Sequence, residues 1–174
     1  MWTAAAYERF RDGGLADVRV ETVARDVGAT KGSFYWHFDN RAALVRAVMA
    51  RWEEEETEAL IRAADTATTA RGRIERLFAE VTARTPGRRG ERLLYADARR
   101  EGVGDVVDRV TARRIDYLAA LLVEAGIVQP EARRRSVIAL ATVVGLVHLG
   151  SSVRADVGAA GELTATAVRM VLGS

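Results

Sequence analysis

The chain has 174 residues, enough for a real core and one or two domains. Hydrophobic residues make up 49% and charged residues 29%, which excludes a disordered chain, while a formal net charge of +2 gives no global attraction to nucleic acid. The absence of cysteine removes disulfides, a thiol nucleophile and a thiolate metal site.

Only two prolines occur, Ala, Arg, Leu and Val dominate, and β-branched alternation is scarce, so an all-α protein is expected. Charge is uneven: residues 1–51 and 70–135 carry a basic surplus and residues 52–69 an acidic one. Lys31 is the sole lysine. No leader pattern is present and no apolar run is long enough to span a bilayer; a soluble, cytoplasmic chain with no membrane partner is expected.

In chain order, Trp2 to Phe10 reads as a helix with Trp2, Ala5, Ala6, Arg9 and Phe10 near one face, ended by Asp12, Gly13 and Gly14. Val20, Val23, Ala24 and Val27 recur at i, i+3, i+4, i+7, one face of a second helix. Gly28 stops it, because glycine takes the left-handed conformation without a Cβ penalty. Thr30 can cap a third helix, Lys31 to His37, through its hydroxyl. Two short helices joined by a glycine form a helix-turn-helix, whose second helix enters the DNA major groove.

That third helix needs only Phe34 and Phe38 inward, at i and i+4. Lys31, Gly32, Ser33, Tyr35, Trp36 and His37 are left facing out, and such side chains suit phosphates and base edges. Gly32 lets the backbone come close to the partner. The competing reading is a packed aromatic cluster. Asn40 or Asp39 caps the next helix, Arg41 to Ala64, with Ala43, Leu44, Ala47 and Val48 inward. Its acids Glu53 to Glu56 read as a solvated face.

The run VETVARDVGATKGSFYWHFDNRAALVRAVM resembles the DNA-binding domain of the TetR family of bacterial transcriptional regulators, with the likeness covering residues 2–50. It rests on the Val-Ala spacing of the second helix, Gly28-Ala29-Thr30-Lys31-Gly32, Phe34-Tyr35, His37-Phe38 and Leu44. One departure is Val18-Arg19, where the family usually has Thr or Ser; Arg19 then becomes the candidate for a phosphate or base contact. The resemblance implies an N-terminal three-helix domain with the helix-turn-helix, residues 1–50, and a larger helical effector-binding and dimerisation domain, residues 51–174. Gly32, Tyr35 and Arg41 match family positions that commonly meet the DNA backbone. The expected DNA-facing set is therefore Arg19, Thr30, Lys31, Gly32, Ser33, Tyr35, Trp36, His37 and Arg41. Ser33 and Trp36 are expected at bases, Lys31 at a phosphate or guanine edge, and Tyr35, His37 and Arg41 at phosphates.

Beyond residue 64 the pattern gives four more helices and a shorter one. Arg71 to Arg84 carries Ile74, Leu77, Phe78 and Val81, and Thr85, Pro86 and Gly87 end it. Glu91 to Glu101 carries Leu94, Tyr95 and Ala98; Gly102 and Gly104 break it. Asp105 to Ala125 buries Val107, Val110, Tyr117, Leu118, Leu121 and Leu122 before Gly126. Pro130 suits the first turn of the next helix. From Val137 to Leu149 that helix is apolar nearly all round and must be buried on every side, which calls for a second subunit. A last helix, Gly161 to Leu172, follows. The two are expected to pair with their copies in a two-fold four-helix interface made by Ala141, Val144, Gly145, Leu149, Leu163, Ala167 and Met170.

The resemblance also implies an unidentified small-molecule effector. Its pocket candidates are Trp52, Phe78, Tyr95, Tyr117 and His148, with Asp97 and Arg99 as polar anchors. His148 has no partner at i+3 or i+4, so no metal is expected, and no cofactor either. Nothing points to an enzyme: there is no Gly-rich phosphate loop, no Ser-His-acid constellation and no paired carboxylates set against a His. The expected function is a sequence-specific DNA-binding regulator, a ligand-released repressor acting as a homodimer on a near-palindromic double-stranded operator. The alternative is an all-helical protein-interaction or small-molecule-binding protein whose helix-turn-helix is only structural.

Overall fold

The first helix, α1 (Trp2–Gly13), buries Trp2, Ala6, Tyr7 and Phe10 along one side. The structure, a computed structural model, describes residues 1–84, 89–148 and 160–173, with Val147 and Ala160 as backbone alone. It is all-α, with no strand among the described residues. The chain divides into two units, Met1–Glu55 with Gly87–Asp108, and Glu56–Pro86 with Arg109–Ser174.

In the first unit α1 is followed by a 3-10 turn (Leu15–Asp17), α2 (Val20–Asp26), α3 (Lys31–Phe34) and α4 (Arg41–Glu53). The local signals act as the residue types dictate. Gly28 has φ 66, and the Ala29 N–H donates to the Ala24 carbonyl at 2.9 Å, closing α2. The Thr30 hydroxyl accepts from the Ser33 N–H at 3.2 Å to cap α3, and Asn40 rather than Asp39 caps α4, accepting from Ala43 N–H at 3.0 Å. Arg9 grips Asp26 through two bonds of 2.6 and 2.7 Å, tying α1 to α2 and holding the Asp26 carboxyl below its ordinary value.

Regular α3 ends at Phe34, not at His37 as the pattern predicts. Tyr35, Trp36 and His37 donate three residues back, to Gly32, Ser33 and Phe34, at 3.3, 3.3 and 2.9 Å. This tightened turn satisfies the last carbonyls and lets Phe38 stack on Phe34, ring centroids 5.6 Å apart.

Helix α1 also packs on α7 (Arg89–Asp97), within the same unit. Gly90 makes this approach possible: a Cβ there would lie 2.0 Å from the Phe10 carbonyl oxygen. Arg41, expected at phosphates, is turned inward instead. Its guanidinium donates to the carbonyls of Val18 (2.7 Å) and Leu15 (2.5 Å) and to Glu101 (2.9 Å). The reason is the turn ahead of α2, where the carbonyls of buried Val18 and Leu15 accept it, the Leu15 oxygen in addition to the Val18 N–H at 3.1 Å.

The stretch 41–64 is not one uninterrupted α-helix. A π-helical turn, Glu54–Glu58, separates α4 from α5 (Ala59–Ala64). The acids there are not simply solvated: Glu55 pairs with Arg51 at 2.6 Å and Glu58 with Arg113 at 3.2 Å. The Arg114 guanidinium donates to the buried Thr57 hydroxyl (2.8 Å) and to the Glu56 carbonyl (3.1 Å), an oxygen the widened turn leaves available.

The second unit also holds α6 (Ala70–Arg84), the larger part of α8 (Gly104–Glu124), α9 (Gln129–His148) and α10 (Ala160–Leu172). Ile74, Phe78, Leu118, Leu121, Leu122, Ala132, Ala139, Val168 and Val171 form its core. Pro130 falls in the first turn of α9. That helix is not enclosed by the described residues: Ala132, Ser136 and Ala139 are buried, but Val137 is 46% and Ile138 60% exposed. The predicted stop at Thr85 to Gly87 lies outside the described residues.

Two outcomes follow. Gly90→Ala should lose about 1–3 kcal/mol in urea unfolding, since backbone, not a flexible side chain, must move. Arg41→Met should cost about 1–3 kcal/mol in the same assay, because it removes the Arg41 bonds to the Val18 and Leu15 carbonyls and the partner of Glu101.

Candidate nucleic-acid interface

The turn from Thr30 to Phe38 is built on one buried ring. Phe34 has no exposed surface and meets Trp2 edge-on at 5.5 Å and Tyr35 at 5.2 Å. With that single inward position filled, the neighbouring side chains go outward. Trp36 is 88% exposed and Tyr35 57%. Lys31, Gly32 and His37 are exposed and Ser33 is half-buried, its hydroxyl donating to the Thr30 carbonyl at 2.9 Å. Space around Gly32 is open, the nearest atom to an added Cβ being the Thr30 hydroxyl at 3.6 Å. Arg19 is exposed, with one donation to the Ala16 carbonyl at 3.3 Å.

Lys31, Gly32, Ser33, Tyr35, Trp36 and His37 thus share one short exposed segment. Arg41 does not join them, as its guanidinium serves the loop ahead of α2. Sequence reasoning missed Glu21, whose carboxylate sits 2.5 Å from the Lys31 ammonium. A Glu in the first turn of the helix before a glycine break was the available signal.

The seven effector-pocket candidates fall in different units. Trp52, Tyr95, Asp97 and Arg99 belong to the first unit, and Phe78, Tyr117 and His148 to the second. Trp52 is buried, Arg99 is exposed, and Asp97 pairs with Arg100 at 3.0 Å. The Tyr117 hydroxyl donates to Asp65 at 2.7 Å; burial first, then this bond, pushes its ionisation well above the ordinary value. His148 is exposed at the end of α9, its Nδ1 at 2.8 Å from the Val144 carbonyl. A cavity of about 410 Å³ does exist in the second unit, between α6, α9 and α10. Of the candidates only Phe78 lines it; most of the wall is apolar, with Thr82, Glu131 and Arg135 among its polar members. The Glu131–Arg135 pair, 2.8 Å apart at i and i+4, was readable in the sequence.

Of the residues expected at a dimer face, Ala141 and Gly145 are exposed, Val144 is half-buried, and Met170 is 64% exposed. Leu163, Ala167 and Met170 line the same cavity. Leu149 lies outside the described residues. Among the described residues no group of acids or histidines is placed to hold a metal ion, and no helix is long and apolar enough to cross a membrane.

Comparison with known proteins falls on the segment just described. Residues 3–48 match the sequence profile of the family "Bacterial regulatory proteins, tetR family". The HTH-type transcriptional regulator SrpR of Pseudomonas putida is 39% identical over 46 residues, 26% of this chain and 22% of that protein. The match to such curated relatives therefore spans well under half of their length. A putative TetR-family transcriptional regulator from Rhodococcus sp. shares the fold over 96% of this chain and 92% of its own, with TM-score 0.70 and 20% identity. BioQ, solved with its natural double-stranded DNA operator, aligns over 99% of this chain and 96% of its own with TM-score 0.56 and 20% identity. The helix-turn-helix of α2 and α3, its capping residues and the match over residues 3–48 identify this segment as a DNA-binding domain of the tetR-family type.

Proposed function

We propose that the chain is a sequence-specific DNA-binding regulator that acts as a homodimer and is released from a near-palindromic operator by a small-molecule effector. The observation that carries this reading is Trp36. An 88% exposed tryptophan beside exposed Tyr35 and Lys31 has nothing to gain in water, and a duplex offers it thymine methyls and phosphates. Tyr35 and His37 would hold phosphates, which fix register; Ser33, Trp36 and Lys31 would meet base edges. Thr30 contributes as the cap that aims α3, and Arg19 as a flanking phosphate contact.

The dimer reading rests on α9 and α10. Val137, Ile138 and Met170 are large apolar side chains that stand exposed, with small Ala141 and Gly145, which permit close helix approach, also on α9. A second copy would cover them by a two-fold axis, the commonest oligomer symmetry. Two recognition turns would then read half-sites about 34–36 Å apart, or a multiple of that. The cavity between α6, α9 and α10 is the candidate space for an effector of mainly apolar character. Its binding would favour the conformation that fits DNA poorly; a coupling of about 1–3 kcal/mol changes affinity roughly 5–150-fold. While bound, the chain would repress; release by the effector would relieve that repression.

Three measurements test this. Operator affinity should fall steeply with salt, log K against log salt having a slope of about −0.9 for each neutralised phosphate. Tyr35→Ala should weaken binding to every duplex, whereas Trp36→Ala should also change the preferred sequence; equal losses on selected and random duplexes for both variants contradict the division of roles. Light scattering at micromolar concentration should give twice the chain mass, and Ile138→Glu with Met170→Glu should give the monomer.

A further inference from the structure

The ion pair between α2 and α3 has no evident structural task. Glu21 lies in the first turn of α2 and Lys31 opens α3; Nζ and Oε1 are 2.5 Å apart and their side chains are 65% and 56% exposed. An exposed pair of this kind adds little to stability. Its effect on a ligand is larger. A lysine already beside a carboxylate neutralises a phosphate only by leaving that partner, and the carboxylate left behind repels the same phosphate. Binding through phosphates alone, which is how random DNA is held, therefore gains less from Lys31 than from a free lysine. A base edge is different. The pair presents a donor and an acceptor side by side, and a G·C pair presents guanine O6 and N7 as acceptors next to the cytosine N4 donor. The mutual attraction keeps both groups charged: the Lys31 bond holds the Glu21 carboxyl below its ordinary value, and Glu21 raises the Lys31 ammonium.

We propose that Glu21 is a specificity-determining residue: with Lys31 it forms a donor–acceptor pair that reads one G·C base pair in each half-site and penalises binding to phosphates alone. This rests on the reading that α3 meets DNA.

The experiment uses the full chain, with duplexes selected from genomic fragments and a random duplex of equal length. Glu21→Gln keeps the shape at an exposed position and removes the charge. It should bind the random duplex more tightly and steepen the salt slope by about one. In repeated selection it should lose a G·C preference at one position per half-site, a drop in discrimination of roughly 5–150-fold against the other base pairs. Lys31→Ala should lose the same preference, and adding Glu21→Gln to it should change base choice no further. Unchanged or weaker random-duplex binding by Glu21→Gln, with base preference intact, overturns the proposal while losses in Tyr35→Ala and Trp36→Ala leave the DNA reading standing. If those two variants and Lys31→Ala all bind DNA as the parent does, the reading of α3 and this proposal both fall.

Discussion

Burial of the Phe34 ring is the constraint from which the exposed turn at α3 follows. The ring is enclosed by Trp2 and Phe38, and the regular part of α3 is only four residues long. So short an element has one inward position. Once Phe34 occupies it, Lys31, Tyr35 and Trp36 have nowhere to go but solvent. Helix α1 supplies the wall, and α1 is itself held by Arg9 on Asp26 and by the close approach of α7 at Gly90. A surface helix ordinarily hides its aromatic side chains because burying them is worth several kcal/mol. Here the chain spends that opportunity on one ring and leaves two others outside.

What was legible in the sequence is what depends on neighbours in sequence. Gly28 stops α2, Thr30 caps α3 and Asn40 caps α4, each within three residues of the groups it serves. The outward face of α3 was readable for the same reason. Arg41 was not, because its partners are carbonyls 23 and 26 residues upstream and a carboxylate 60 residues downstream. A residue type that suits phosphates equally suits stray carbonyls, and only the folded loop decides. The π-helical turn was hidden too, since the Arg114 that supports it lies far along the chain. Pocket residues were not legible, because aromatic side chains at helical spacing are alike whether they pack, bond or line space. Tyr117 bonds Asp65, and Phe78 alone of the set faces the cavity.

Electrostatics in this chain are local. Arginine is abundant, yet many guanidinium groups serve a carboxylate of the same unit: Arg9 with Asp26, Arg41 with Glu101, Arg73 with Glu124 and Arg113 with Glu58. Such pairs join elements distant in sequence, so the small formal net charge of +2 describes a surface of paired opposite charges rather than a weakly charged one. Attraction to a polyanion then depends on which cations are exposed on the approaching face, and on what holds each of them.

The three tryptophans lie in sharply different surroundings: Trp2 and Trp52 are 4% and 1% exposed, and Trp36 is 88% exposed. Their light emission is therefore divided between two shielded indoles and one in water. A soluble quencher reaches only the third, so the quenchable part of the fluorescence reports on the turn that follows α3 without any attached dye.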